Sequence, residues 1–366
     1  TMQLNRLKWE TTTEYNTGLD ASFLKGKLRF TVDVYQKYIK DMLQKKVKMP
    51  TTIGYGNGYE VSYMNSGKMT NKGWEFRVDA VPFENKDWRV GFYVNLAHNE
   101  NKITEMPDNY TEENYSFDNG NYAYRREEGR PMGSFYGYRY KGVYQNKDAT
   151  YARDAEGNIM KDISGTPIVM RNGNATVAPG DAIYEDINHD GVINQYDIVY
   201  LGNSNPRLTG GAGINISYKQ FKLSAIFYGR YGQDVVNSTR LDNESMRSIN
   251  NQSTAVLRRW RNEGDQTDIP RALYGEGYNT LGSDRFVEDA SYLRLKTLSL
   301  TYRLPKKMIQ RWGFSNIDVY VTGYNLLTWT RYTGQDPEVK TENTYARDSA
   351  TTPASIQLVA GFNLSF

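Results

Sequence analysis

One segment of the sequence carries oxygen-bearing side chains at the spacing that a hard cation requires. Between Asp186 and Asp197 such side chains stand at the first, third, fifth, ninth and twelfth positions, and Gly191 stands sixth. In EF-hand-type loops this pattern binds Ca²⁺, because the glycine allows a sharp turn and the seventh residue offers its backbone carbonyl. The predicted ligands of a structural Ca²⁺ ion are Asp186, Asn188, Asp190, Val192, Asn194 and Asp197.

Two details qualify this loop. The twelfth residue is Asp rather than the longer, bidentate Glu, so the last ligand would reach the ion differently. Ile193, the eighth residue, is expected to point into local packing. The alternative is a turn rich in Asp and Asn that holds no ion, because the order D-x-N-x-D-G also favours turns.

The rest of the chain offers little for catalysis. Cys is absent and only two His occur, which removes thiolate chemistry and limits acid-base chemistry at neutral pH. His189 lies between the calcium-loop ligands, and His98 continues an apolar strand face, so neither joins a convergent set of catalytic groups. The sequence therefore predicts that the protein is not an enzyme.

Five aromatic residues before position 125 are candidates for contacts with a substrate, since their rings could stack on sugars through their apolar faces. They are Tyr110, Tyr115, Phe117, Tyr122 and Tyr124. The alternative is that these rings pack a loop against its neighbours.

Composition favours strands and turns, with 30 Tyr, 13 Phe and 32 Gly among 366 residues. No run approaches the roughly 18 apolar residues of a spanning helix, so only a closed barrel could cross a bilayer with its backbone groups paired. The 45 basic and 42 acidic residues are scattered along the chain, without the Lys/Arg stripe of a nucleic-acid-binding protein. Nucleic acid is therefore not an expected partner.

Apolar residues at every second position predict amphipathic strands, as in residues 28–34 and 88–96. We predict nine barrel strands at about 4–24, 27–45, 67–83, 88–104, 207–219, 221–236, 291–303, 316–327 and 355–366. The extended stretch from Gly133 to Tyr144 is assigned to a hairpin inside one long loop, residues 105–206.

The predicted connections alternate in length. Tight turns at 25–26, 84–86 and 219–220 alternate with long polar loops, which is the topology of outer-membrane barrels. The loop 105–206 is therefore expected on the extracellular side. A soluble sandwich would show turns every 8 to 12 residues or so, without this asymmetry.

Ordered segments along most of the chain resemble SusC/RagA-type TonB-dependent transporters. One of them is the strand start NKGWE at 71–75, and another is Gly180-Asp181 leading into the calcium-type loop and then GNSNPR at 202–207. The others are LKWE at 7–10, Trp260, DIPR at 268–271, ASYLRLK at 290–296, NLL at 325–327 and GQDPE at 334–338.

This resemblance implies that residues 1–366 form the C-terminal portion of a transmembrane antiparallel β-barrel of roughly 22 strands. The barrel would be plugged, would lie in the outer membrane of a Gram-negative bacterium in contact with its lipid, and would carry long extracellular loops. Nine strands with a periplasmic C-terminus leave the first strand entering from outside, so we expect the plug, the other strands and the export signal to lie upstream.

The implied function is energised import of an oligosaccharide or peptide, with a SusD-like surface lipoprotein as lid. The TonB complex would act through the N-terminal part that this sequence lacks. The alternative is a soluble, calcium-stabilised carbohydrate-binding β-protein in which the same strands pack as a sandwich.

Overall fold

The computed structural model describes residues 7–48, 60–65, 67–106, 120–124, 126–275, 278–342 and 345–366. The strands of this part are β1 Thr11–Phe23, β2 Leu28–Lys40, β3 Leu43–Lys48, β4 Glu60–Asn65, β5 Lys68–Glu84, β6 Trp88–Glu105, β7 Ser134–Gly137, β8 Tyr140–Val143, β9 Arg171–Asn172, β10 Ala175–Thr176, β11 Ala182–Tyr184, β12 Val192–Ile193, β13 Val199–Asn203, β14 Leu208–Tyr218, β15 Phe221–Tyr231, β16 Asp234–Asn237, β17 Val287–Asp289, β18 Tyr292–Arg303, β19 Asn316–Thr330, β20 Thr341–Glu342, β21 Tyr345–Asp348 and β22 Gln357–Ser365. The α-helices are α1 Ser238–Glu244 and α2 Lys306–Ile309. Neither these nor any other helix of the described residues has the length and apolar character to cross a membrane.

One antiparallel sheet of nine strands dominates the fold, in the order β1-β2-β5-β6-β14-β15-β18-β19-β22. These are the nine strands that the alternating sequence pattern predicts, so that prediction is confirmed. Most bounds differ by a few residues. The largest differences are at β1, which begins at Thr11, and at β2 and β15, which end at Lys40 and Tyr231.

The two faces of this sheet differ in chemistry because side chains alternate along each strand. One row across neighbouring strands is apolar throughout. It runs through Ala21, Phe30, Val78, Val94, Ala212, Phe227, Leu295 and Leu327. The adjacent row, on the opposite face, is formed by Asp20, Thr31, Arg77, Asn95, Gly211, Tyr228, Arg294 and Thr328. We call these the apolar face and the polar face.

Side chains of the apolar face remain exposed instead of forming a dry core. Leu19 is 58% exposed, Val34 54% and Val321 52%. The other sheets of the described residues have two to four strands and lie in the connections between the long strands. The two stacked sheets of the sandwich alternative are therefore not what this chain forms.

Tight and long connections alternate as predicted. The tight turns include 24–27, 85–87 and 219–220, whereas 106–207 and 232–291 are long excursions at the opposite end of the sheet. Aromatic residues mark both ends of the apolar face. At the tight-turn end the rings of Trp88 and Tyr218 lie 4.3 Å apart, and at the loop end those of Phe227 and Trp329 lie 6.5 Å apart.

The buried core of the described residues lies mainly in the long connections. Phe135, Tyr136, Ile193 and Phe286 are fully buried there. The stretch from Gly133 to Tyr144 is extended, as predicted, and lies inside the loop. Its strands β7 and β8 do not pair with each other, however: β7 pairs with β13 and β8 with β11, so the hairpin partner is the returning arm of the loop.

Candidate functional site: the polar face and the loops at its end

The polar face forms a charged, hydrogen-bonding surface on strands β1, β2, β5 and β6. Part of it is a concavity of about 390 Å³, whose lining includes Glu14, Tyr35, Lys37 and Asn99. Lys37 Nζ lies 3.2 Å from the Glu14 carboxylate, and the Tyr35 hydroxyl donates a hydrogen bond of 3.0 Å to Asn99 Oδ1. Such groups can bind a polar ligand, although Lys37 and Glu14 already neutralise each other.

The motif NKGWE supplies part of this surface through its alternation. Trp74 lies on the apolar face, whereas Gly73 and Glu75 lie on the polar face. Tyr35 pairs with Gly73 across the strands, and a Cβ at position 73 would lie 2.7 Å from Tyr35 Cζ. The glycine therefore lets the Tyr35 ring lie flat across the neighbouring strand.

A second concavity of about 700 Å³ follows on β5 and β6. Its lining includes Arg77, Tyr93 and Asn95. Arg77 makes two hydrogen bonds to Asp79, of 2.7 and 2.8 Å, and its guanidinium lies 5.4 Å from the centre of the Tyr93 ring. This pairing fixes the position of a planar cation on the face.

An ionic network ties the loop after β19 to the polar face. Arg294 on β18 is 3% exposed and donates to Asp336 at 2.5 Å, to Glu338 at 2.8 Å and to the hydroxyl of Thr328 at 2.8 Å. Lys296 donates to the same Glu338 at 2.7 Å. The motifs ASYLRLK and GQDPE are far apart in sequence. In the structure they meet in one network, in which ASYLRLK supplies the cationic donors and GQDPE the carboxylate acceptors.

The pKa of Asp336 reflects this setting. Burial alone would raise the pKa of its carboxyl, but the backbone N–H of Ala354 and the guanidinium of Arg294 hold that pKa below its usual range. The carboxylate form is therefore the stable one in the folded loop.

A comparable network joins two long loops. Asp181 is 1% exposed and accepts two hydrogen bonds from Arg271, of 2.7 and 3.1 Å, and one of 3.1 Å from the amide of Asn279. The backbone N–H of Ala178 also donates to it at 2.8 Å. The motif residues Gly180-Asp181 and DIPR are thus joined by one buried carboxylate.

The calcium-type loop folds as a set of tight turns. Asp186 accepts a hydrogen bond of 2.8 Å from Gly191 N–H, and Asp197 accepts from Ile187 and Asn194, both at 2.8 Å. Gly191 has φ +81°, as a sharp turn requires. Ile193 is fully buried, which confirms its predicted direction.

These contacts only partly fit an ion. Among the residues that the structure describes, no three Asp, Glu, His or Cys side chains converge as a metal-binding group. The carboxylate oxygens of Asp186, Asp190 and Asp197 face backbone N–H groups of the loop instead. Burial raises the pKa of the Asp197 carboxyl, and the carboxylates of Asp186 and Asp190 raise it further. A cation would offset that accumulation of negative charge.

The structure describes two of the five aromatic residues that were candidates for substrate contacts. Tyr110, Tyr115 and Phe117 lie outside the described residues. Tyr122 is 7% exposed, its hydroxyl donates to the Ser283 carbonyl at 2.7 Å, and it packs against other rings of the loop core, which favours the loop-packing alternative for this residue. Tyr124 is half-buried.

The ionic networks are the features that sequence reasoning missed. Periodicity shows which face of a strand a residue occupies, but it does not pair Arg294 with Glu338 or Asp181 with Arg271. The available signal was the fixed order of the motifs that contain these residues.

Taken as a whole, a single antiparallel sheet with an exposed apolar face, a charged face and connections of two lengths is the wall of a transmembrane β-barrel. The family profile described as "TonB dependent receptor-like, beta-barrel" matches residues 2–326. The chain belongs to this family of outer-membrane β-barrels, whose members are transporters rather than enzymes.

Individual relatives support the same assignment. TonB-dependent receptor P3 of Formosa agariphila is 31% identical over 345 residues, which cover 93% of this chain and 32% of that protein. TonB-dependent receptor SusC of Bacteroides thetaiotaomicron is 28% identical over 374 residues, covering 98% and 32%. The chain thus spans about a third of the length of these relatives.

Solved structures agree in fold. The structure of the RagAB peptide transporter superposes with a TM-score of 0.73 at 27% identity, covering 98% of this chain and 36% of that one. The RagAB peptide importer in its "open-open" state gives 0.71 at 25% identity, covering 98% and 35%. The resemblance to SusC/RagA-type transporters and the predicted barrel fold are therefore confirmed. It follows that the apolar face contacts lipid and the polar face lines the lumen.

Proposed function

We propose that this chain supplies lumen wall and loops to a receptor that imports a bulky polar nutrient, an oligosaccharide or a peptide, with energy from TonB. The observation that carries the proposal is the two-faced sheet of nine strands, charged on one side and apolar on the other. A wall of this kind separates a wet passage from lipid.

The lumen chemistry supports a polar cargo but does not choose between the two classes. Acidic, basic, amide and tyrosine side chains share the polar face, as at Glu75, Arg77, Tyr93 and Asn95. Sugar hydroxyls and peptide groups both donate and accept hydrogen bonds, so the same surface serves either. The solved RagAB relative is a peptide transporter, which makes peptides the first class to test.

The long loops are proposed to face the medium, with the tight turns in the periplasm. This orientation follows from the length asymmetry of barrel connections. A SusD-like surface lipoprotein would then close over the loop end, and TonB would act through another part of the receptor. The packed loop core around Phe135 and Phe286 would give such a lid a firm surface.

We propose further that the loop Asp186–Asp197 binds a structural Ca²⁺ ion. The order of its oxygen donors supports this, as does the clustering of negative charge around the buried Asp197. The ion would brace the loop and take no part in chemistry.

Uptake by whole cells tests the main proposal. A strain lacking this receptor should lose accumulation of its labelled nutrient, peptide or oligosaccharide, and full-length receptor should restore it only when TonB is intact. The matched variants are Arg77→Glu, which inverts a charge of the polar face, and Lys86→Glu, which inverts one in a tight turn. Loss of uptake in the first and not in the second supports a lumen role, whereas TonB-independent uptake would refute the proposal.

A further inference from the structure

The apolar face has a depression near the end of the sheet that carries the long loops. The register brings five residues into one row, and two adjacent glycines occupy its middle. The row is Leu96, Gly210, Gly229, Leu293 and Trp329. Since glycines add no side chain to the surface, the flanking leucines and Trp329 stand above a hollow between them.

This hollow is a groove of about 800 Å³, which lies within the roughly 300–1,000 Å³ of small-molecule sites. Its lining includes Val94 and Ala212 beside the row. The Trp329 ring stacks at 6.5 Å on Phe227 of the next row, which gives the groove an apolar wall. A Cβ at Gly210 would lie 2.6 Å from the carbonyl oxygen of Asn95, so close strand packing requires the glycine and maintains the hollow.

The loop end of the groove is polar and cationic. Arg331 lines it, is exposed, and makes no ion pair or side-chain hydrogen bond within the described part of the chain. Tyr231 and Trp329 beside it are 62% and 49% exposed, as interfacial aromatic residues are. Asp289 also lines this end, but its Oδ1 accepts hydrogen bonds from the backbone N–H and the hydroxyl of Ser291.

We propose that this groove holds one acyl chain of an anionic, phosphate-bearing lipid of the outer leaflet, with the phosphate at Arg331. The groove opens on the face that contacts lipid in this barrel family, so a hydrocarbon chain is the ligand that reaches it. The unpaired guanidinium at the membrane interface matches a phosphate in charge and geometry. The proposal rests on the membrane location of the family and not on the transported cargo.

Native mass spectrometry of the full-length, detergent-purified receptor tests this proposal. The receptor is offered equal amounts of phosphatidylglycerol and phosphatidylcholine with the same acyl chains, and the lipids that stay bound are counted. The groove-filling variant is Ala212→Leu. Its control is Ala360→Leu, the same change on the apolar face of β22, away from the groove. The third variant, Arg331→Gln, changes the residue just beyond β19 and tests only the contact with the headgroup.

The expected result is one tightly retained lipid, with phosphatidylglycerol favoured at least fivefold. Ala212→Leu should lower its retention at least fivefold and Ala360→Leu should not, while Arg331→Gln should bring the two lipids close to equal retention. Folding of each variant is checked by its heat-dependent shift on a gel. Equal retention of both lipids by the unmodified receptor, equal effects of the two leucine variants, or a polypeptide in place of the lipid would each overturn the proposal.

Discussion

The side chain of Asp181 shows how a single residue can join two loops that lie far apart in sequence. Its carboxylate is buried and is held by Arg271, Asn279 and the backbone of Ala178. Breaking a buried pair by removing one partner leaves the other charge poorly solvated. The effect is moderated here because the Arg271 side chain is about a third exposed.

We expect Asp181→Ala to destabilise the loop region by about 2–3 kcal/mol, at or just below the lower end of the range for fully buried pairs. Hydrogen exchange of amides in residues 178–184 and 268–281 measures this loss. The control is Glu185→Gln, whose partners Arg139 and Lys141 are half exposed and for which the expected change is under about 1 kcal/mol. Equal protection in Asp181→Ala and the unmodified protein would contradict this assignment.

The Asp336 carboxyl gives a pH dependence with a defined sign. Because the pKa of Asp336 is lowered in the folded state, its contribution to stability is present above the unfolded value of about 3.9. That contribution falls as the pH drops through 3.9 or so and is lost below the folded pKa. We expect proteolysis within residues 331–340 to accelerate on acidification toward pH 3.

The matched control for this pH effect is Asp336→Asn. This variant keeps the shape of the side chain and removes its charge, while Glu338 still pairs with Arg294 and Lys296. Its cleavage rate should be higher near pH 6 and should change less with pH. Identical pH profiles for the two proteins would exclude Asp336 as the source.

At the scale of elements, the long strands were predictable and the loop strands were not. Along β6, every second residue faces lipid and is apolar: these residues are Trp88, Val90, Phe92 and Val94. The residues between them face the lumen, so the alternation is uninterrupted. In β7, by contrast, all four residues are buried and no alternation exists to detect. Its pairing with β13 depends on contacts across more than sixty residues, which local patterns do not contain.

The candidate site likewise contains features that could be predicted from sequence and features that could not. Positions 186 to 197 follow a fixed spacing, so the turn, the glycine and the buried Ile193 could be predicted from sequence. The stacking role suggested for Tyr122 could not be judged from sequence, because its burial results from packing by Phe135 and Tyr345.

Chelation tests the proposed Ca²⁺ ion at this scale. We expect removal of divalent metal by EGTA to speed proteolysis within residues 186–197 at least severalfold, and added Ca²⁺ to reverse it. Asp190→Ala removes one predicted ligand and should abolish the Ca²⁺ effect. Asp154→Ala changes an exposed Asp turn outside residues 186–197 and should retain the Ca²⁺ effect. If the cleavage rate changes with neither EGTA nor Ca²⁺, the loop is a turn that binds no ion.

At the scale of the whole molecule, the apolar face is exposed and the loop core is buried because the two parts contact different solvents. The loops meet water and therefore bury rings such as Phe135 and Phe286, whereas the sheet meets lipid and leaves its leucines and valines outside. The eleven residues of β14 extend about 33 Å, which at a tilt of about 40° crosses about 25 Å of bilayer.

This arrangement predicts that introducing Arg has different effects on the two faces of one strand. Phe92 lies on the apolar face and is 40% exposed, while Asn95, three residues on, lies on the polar face. Arg near the middle of the lipid-facing band costs about 2–4 kcal/mol, whereas a lumen position tolerates it. In full-length receptor held in detergent micelles, Phe92→Arg should lower the guanidinium midpoint of unfolding and Asn95→Arg should leave it nearly unchanged. Equal midpoints for the two variants, or a larger loss in Asn95→Arg, would mean that the assignment of lipid and lumen faces is reversed or wrong.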